Sequence, residues 1–132
     1  MVNLPPQGAG PAERDDACGG LEPAAPVDDA EVVAELEAVF GRPRLMNLLA
    51  GLGDEIAQRL RVSEAQRDAL SRDAHALVSA SGTLGFGPLS QACAALEHAC
   101  HAGSDLGPAL ARARRSADAA SDAIERLRAE AA

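Results

Sequence analysis

The sequence has no lysine, no tryptophan and no tyrosine, and it contains only two phenylalanines. Strands favour β-branched and aromatic side chains, whereas alanine and leucine, which dominate this chain, are strong helix formers. The shortage of aromatic residues therefore argues against a β-sheet protein and favours closely packed helices. At 132 residues the chain has the length of one domain with a single modest core.

Long apolar runs are also absent. No segment approaches the roughly 20 apolar residues that span a bilayer, and the first residues lack the basic and apolar stretches of a secretion signal. The three cysteines, Cys18, Cys93 and Cys100, are too few for a disulfide framework and are compatible with a reducing compartment. These absences predict a soluble, cytoplasmic protein that has no membrane partner.

Positive charge is scarce in the first third of the chain. Residues 1–41 contain nine acidic residues and Arg14, whereas residues 42–132 contain eleven residues of each sign, and the net charge is -8. An acidic chain is repelled by the phosphates of nucleic acids and by anionic lipid. We therefore expect no nucleic-acid partner.

The chain divides into a tail and a helical domain. Residues 1–27 contain five prolines and four glycines and show no hydrophobic period, which predicts a disordered, acidic Pro/Gly-rich tail. Residues 28–132 are predicted to form the domain. A short first helix is expected to begin at Asp28, with Glu31 completing a capping box, and to end at Gly41.

Four longer helices follow in the periodic pattern. The first is predicted over about residues 43–61, and the second begins after an N-cap at Ser63. The third is predicted from Pro88 to Gly103, and the fourth over about residues 105–129. The predicted core residues are Leu45, Leu48, Leu49, Leu52, Ile56 and Leu60; Leu70, Ala74, Leu77, Ser81 and Leu84; Leu89, Ala92, Cys93, Leu96 and Cys100; and Leu106, Leu110, Ala113, Ala117, Ala120, Ile124 and Leu127. The predicted fold is an all-α, antiparallel up-down-up-down four-helix bundle with a short additional N-terminal helix.

The third long helix contains a histidine that does not belong to the core stripe. At 100° per residue, His75 turns away from the bundle interior. Its neighbours on the outward face are Ser71, Arg72, Val78, Ser79 and Gly82. Because Ser79 and Gly82 are small, another molecule could approach the imidazole. From periodicity alone, an ordinary surface histidine explains this position equally well.

The residues that follow this histidine carry a family resemblance. The segment from His75 to Phe86, followed by a leucine-rich helix, resembles the signature of histidine-phosphotransfer (Hpt) domains. That signature has a histidine, an aliphatic residue two positions on, a lysine at the third, a glycine at the fourth, then small residues and a leucine–glycine pair. The matching positions are His75, Leu77, Ala80, Ser81, Gly82, Leu84, Gly85 and Phe86. The resemblance is specific over about residues 73–100, and the helix order extends it to roughly 28–130.

The resemblance implies a phosphocarrier rather than an enzyme. In this family the Nε2 atom of the histidine accepts a phosphoryl group from, and returns it to, an aspartate of a receiver domain. The implied partners of His75 are response-regulator receiver domains and a hybrid sensor histidine kinase. The receiver supplies Mg²⁺, so no cofactor of the chain's own is expected, and no nucleotide-binding motif is present. Nothing in the sequence argues for a dimer, so we expect a monomer.

Two departures from the family pattern affect this interpretation. Val78 replaces the lysine that helps to hold the phosphoryl group, and Ser79 replaces the glycine. Arg72, one turn before His75, could supply the missing positive charge. The alternative is an Hpt-like helical adaptor that binds a regulator without transferring phosphate.

Residues of the fourth helix complete the predicted site. Glu97 falls where the family often has a Gln or Glu that accepts a hydrogen bond from the imidazole, although a solvated helix acid is an equal alternative. His101, one turn later, could line the phosphoryl site. Cys93, His98, Cys100 and His101 could also suggest a metal site, but their angular positions on one helix do not converge, so we expect no metal.

Three arginines lie close together in the last predicted helix. Arg112, Arg114 and Arg115 could bind an acidic partner, but three arginines on a long helix more often form a solvated face.

Overall fold

The structure, a computed structural model, describes residues 26–131, which form five α-helices. These are α1 (Ala30–Phe40), α2 (Arg42–Gln58), α3 (Arg67–Thr83), α4 (Gly87–Ala102) and α5 (Gly107–Ala131). No strand occurs in this range, which confirms the predicted all-α class. None of the helices within it has the length and apolarity needed to cross a membrane. Residues 1–25 of the predicted tail lie outside the described residues.

The predicted core is largely confirmed. Leu48 and Leu127 are only partly buried, whereas the other predicted core positions have exposures below a tenth. Phe86, which was not among the predicted core residues, is the largest fully buried side chain. It lies in the short connection between α3 and α4, where the chain breaks as predicted. The burial of these apolar surfaces holds the four helices α2, α3, α4 and α5 together.

Side-chain contacts give the relative directions of the bundle helices. Ser71 contacts His101 and His75 contacts Glu97, so residue numbers rise along α3 as they fall along α4. Arg114 of α5 reaches the end of α2, whereas Ile124 faces Gly53 in its middle. The pairs α3/α4 and α2/α5 are therefore antiparallel.

Helix α1 is capped one residue later than predicted. The carboxylate of Asp29, not Asp28, accepts hydrogen bonds from the backbone N–H groups of Glu31 (3.0 Å) and Val32 (3.4 Å). Asp28 instead forms an ion pair with Arg126 of α5 at 2.9 Å. Asp28 is thus engaged by a distant residue of α5, while Asp29 caps the helix.

The connection between α2 and α3 differs most from the prediction. α2 ends at Gln58 rather than near residue 61, and α3 begins at Arg67 without a side-chain cap, so Ser63 is not its N-cap. Leu60 takes a left-handed conformation with a φ of 62°. A residue with a side chain adopts this conformation only when its surroundings hold it there.

Two side chains from other helices hold Leu60 in place. Its N–H donates to Asp73 Oδ2 of α3 at 3.0 Å, and its carbonyl accepts from Arg114 Nε of α5 at 3.0 Å. Asp73 Oδ1 also accepts from Arg59 at 3.1 Å, and Arg114 also donates to the carbonyl of Val62 at 2.9 Å. Arg112, Arg114 and Arg115 are all exposed, as expected of a solvated arginine face, and Arg114 in addition stabilises this connection through its two backbone hydrogen bonds.

Gly85 joins α1 to the bundle. Its φ is 89°, and a Cβ at this position would lie 3.1 Å from the side chain of Val32. Its carbonyl accepts a hydrogen bond from the N–H of Asp29 at 2.8 Å. A glycine is therefore required both by the backbone conformation and by the closeness of α1.

We predict that Gly85→Ala lowers the free energy of unfolding by about 1–3 kcal/mol, because the methyl group is disfavoured at positive φ and collides with Val32. Urea unfolding followed by circular dichroism measures this change. The matched control is Gly51→Ala, at an exposed position inside α2 with open space around it. It should raise stability by about 0.5–1 kcal/mol. Equal effects of the two substitutions would contradict the proposed docking of α1.

Candidate functional site

His75 projects into solvent from the middle of α3. The residues of α3 that face the interior are Leu70, Ala74, Leu77 and Ser81, all buried. The neighbouring position 75 therefore lies on the outer surface, where the side chain of His75 is 77% exposed. An imidazole in this position is accessible to a second protein.

Glu97 of α4 orients the ring. His75 Nδ1 lies 3.0 Å from Glu97 Oε2, and the glutamate side chain is only 27% exposed. A carboxylate oxygen is an acceptor, so this contact favours the tautomer in which Nδ1 carries the ring proton and donates it. In the neutral imidazole the lone pair is then on Nε2, the nitrogen that the hydrogen bond leaves free. The site thus presents a nucleophilic nitrogen at the protein surface.

His101 lies beside this pair. Its Nε2 is 3.0 Å from Ser71 Oγ and 4.0 Å from Glu97 Oε2. The sequence suggested that His101 lines the phosphoryl site; in the structure its ring is hydrogen-bonded to Ser71 and lies near Glu97, the residue that contacts His75. From the sequence Ser71 is identified only as a neighbour of His75, because its hydrogen-bond partner, His101, is on another helix.

Arg72 and Arg67 border the same face on its N-terminal side. Arg72 is exposed and lines a shallow depression with Ser71 and His101. Arg67 is used structurally: it donates to the carbonyls of Ala99 (3.1 Å), Cys100 (3.2 Å) and Ser104 (2.8 Å). These bonds tie the start of α3 to the C-terminal end of α4 and to the residue Ser104 that follows it; the carbonyl of Ala99 also accepts from the backbone N–H groups of Gly103 and Ser104. Arg72 is exposed and lies one helical turn before His75 in the sequence of α3.

The residues after His75 form a flatter, uncharged surface. Val78 is partly buried and packs against the core, and Ser79 is exposed. Gly82 is exposed, but a Cβ there would lie 3.2 Å from Ser90 Oγ of α4. The same serine donates to the carbonyl of Val78 at 2.9 Å. Gly82 thus leaves the outer surface open and also allows α4 to approach α3 closely.

The two cysteines of α4, Cys93 and Cys100, are both buried. Residues 26–131 contain no group of three or more His, Cys, Asp or Glu side chains arranged to hold an ion. Cys93 is buried, and this burial raises the pKa of its thiol to about 12. Burial also raises the pKa of Cys100, against the opposing effect of Arg67. Both thiols stay protonated near neutral pH, which makes them poor ligands and nucleophiles.

We predict that Glu97→Ala weakens the preference of the His75 ring for the tautomer with its proton on Nδ1. Without an acceptor at Nδ1, the ratio of the Nδ1–H to the Nε2–H form should fall about tenfold, the equivalent of losing roughly 1.4 kcal/mol of charge-assisted hydrogen bonding. Long-range ¹H–¹⁵N spectra near pH 8.5 measure this ratio. His98, exposed on α4, is the internal control and should not change. A His75 ring that is protonated on Nε2 in the wild-type protein would contradict the assignment.

Comparisons with known proteins agree with this geometry. The family model of the Hpt domain matches residues 42–130, which is more than half of the chain. Among curated proteins no sequence matches. The crystal structure of histidine-containing phosphotransfer protein B (HptB) from Pseudomonas aeruginosa PAO1 is similar, with a TM-score of 0.71 and 23% sequence identity over 81% of this chain and 98% of that chain. At this identity the similarity shows a shared fold. The chain therefore belongs to the Hpt domain family of phosphotransfer signalling proteins.

Proposed function

We propose that the chain is the phosphocarrier of a histidine–aspartate phosphorelay, in which His75 accepts a phosphoryl group from, and donates it to, receiver-domain aspartates. The observation that carries this proposal is the exposed imidazole of His75 with its Nδ1 bound to Glu97, within an Hpt domain. We further propose that Arg72, Val78, Ser79, Gly82, Glu97 and His101 line the site.

The chemistry follows from the free nitrogen. The Nε2 lone pair of His75 attacks the phosphorus of an aspartyl phosphate, so a P–N bond forms while the bond between phosphorus and the aspartate oxygen breaks. The leaving group is the aspartate carboxylate, and the reverse step regenerates the acyl phosphate. Glu97 stabilises the positive charge that develops on the ring. The Hpt protein contributes a positioned nucleophile and a docking surface, and the receiver contributes Mg²⁺ and its lysine.

The positive charge of this site lies before His75. Where the family has a lysine one turn after the histidine, this chain has Val78, which packs against the core. Arg72 lies one turn before His75 and is exposed. We propose that Arg72 neutralises part of the phosphoryl charge in place of the lysine, because a guanidinium pairs well with phosphate oxygens.

The proposed setting follows from this role. The partners are response-regulator receiver domains and a hybrid sensor histidine kinase, and the protein acts as a cytoplasmic monomer without a cofactor of its own. We propose that the Hpt domain begins near residue 28. A second candidate, favoured by Val78, is an adaptor that binds a regulator without phosphoryl transfer.

We predict that the wild-type protein takes up label from a ³²P-phosphorylated receiver domain and that His75→Gln takes up none, because glutamine offers no nucleophilic nitrogen. The label should be labile to acid and stable to base, as expected for a phosphoramidate. Phosphoprotein gels after each treatment measure both properties.

The control for this assay is His98→Gln, which removes an exposed histidine of α4 and should retain full transfer. Tight binding of a regulator without transfer would favour the adaptor. Transfer that survives in His75→Gln would contradict the assignment of the site.

A second prediction concerns the missing lysine. Val78→Lys places a positive charge one turn after His75 and should raise the rate of phosphoryl transfer about two- to fivefold, the range of an exposed ion pair. Val78→Met is the matched control, because it has a similar length and no charge. Rapid-quench kinetics measure the rates, and thermal melts verify that both variants are folded. Equal rates for the two variants would show that this position does not contact the phosphoryl group.

A further inference from the structure

The carboxylate of Glu97 has two imidazoles within reach of the same oxygen. Oε2 lies 3.0 Å from Nδ1 of His75 and 4.0 Å from Nε2 of His101. Because Glu97 and His101 are one helical turn apart on α4, a small rotation of their side chains would bring them into direct contact. His101 is therefore a potential competitor for the acceptor that orients His75.

Ser71 is hydrogen-bonded to the nitrogen of His101 that would otherwise compete with His75 for Glu97. Its Oγ lies 3.0 Å from Nε2 of His101. A serine hydroxyl both donates and accepts, so it satisfies Nε2 in either tautomer of the His101 ring. While this hydrogen bond is formed, Nε2 of His101 is held 4.0 Å from Glu97 Oε2, beyond hydrogen-bond distance.

The two antiparallel helices fix this arrangement. Ser71 and His75 are one turn apart on α3, and their partners His101 and Glu97 are one turn apart on α4. The four side chains therefore lie next to one another across the interface between the two helices. The depression beside His101 is also lined by Arg67, Asp68 and Arg72 of α3 and by Cys100 of α4. Arg67 is engaged by backbone carbonyls. Ser71 is thus the neutral partner that the structure provides for His101.

We propose that Ser71 and His101 are a positioning pair for His75: Ser71 holds His101 away from Glu97, and Glu97 is thereby left to fix the tautomer of His75. The pair acts on the reacting ring only through Glu97. The consequence for phosphoryl transfer rests on the proposed function, whereas the consequence for the His75 tautomer does not.

The test compares Ser71→Ala, His101→Ala and the double variant by the tautomer ratio of His75 in ¹H–¹⁵N spectra near pH 8.5. In Ser71→Ala the freed His101 turns to Glu97, and the ratio of Nδ1–H to Nε2–H at His75 should fall about three- to fivefold, as expected for competition over one hydrogen bond. In His101→Ala the ratio should stay at the wild-type value or rise. The double variant should recover the value of His101→Ala.

Recovery in the double variant is the decisive result, because a merely structural role of Ser71 would leave the double variant as impaired as the single one. An unchanged ratio in Ser71→Ala, or no recovery, would overturn the proposal. His98→Ala is the matched control on α4 and should have no effect.

The transfer rate of the variants should follow the same order as their tautomer ratios. If no variant accepts phosphate but the tautomer pattern holds, the proposed function fails and the positioning pair stands. If transfer proceeds without the pattern, only the pair fails.

Discussion

The hydrogen bond from His75 Nδ1 to Glu97 is the interaction on which the account of this protein depends. It decides which nitrogen of an exposed ring is free, and so it determines what the ring can do chemically. The bond forms because α3 and α4 are antiparallel and closely packed, and this packing requires small residues such as Gly82 beside Ser90. The packing of α3 against α4 thus determines which nitrogen of the His75 ring is free.

The surrounding structure keeps α3 in register. Two residues before His75, Asp73 binds the backbone of Leu60 and the side chain of Arg59, which anchors the helix to the end of α2. Arg67, at the start of α3, holds the C-terminal carbonyls of α4. Polar contacts therefore lie on both sides of the buried stripe. Apolar burial supplies the stability, and these directional bonds restrict how far α3 can rotate or slide relative to α4.

Much of this fold was predictable because helical periodicity depends on local spacing. The stripe of α3 from Leu70 to Ser81 placed His75 on the surface, and the resemblance to Hpt domains suggested Glu97 as its partner. What could not be predicted depends on contacts between distant residues. Arg126 engages Asp28 while Asp29 caps α1, and Asp73 with Arg114 holds Leu60 in a conformation that shortens α2. The contact between Ser71 and His101 could not be predicted because it depends on how α3 and α4 are aligned.

We propose that Nε2 of His75 is the reactive nitrogen because Glu97 engages Nδ1. The most direct measurement locates the phosphorus atom on the ring. Histidine labelled with ¹⁵N is incorporated into the wild-type protein, the protein is phosphorylated by a receiver domain, and the coupling between phosphorus and nitrogen is observed by NMR. The account predicts a single phosphoryl group on Nε2 of His75, with the proton retained on Nδ1. A phosphoryl group on Nδ1, or on another histidine, would contradict it.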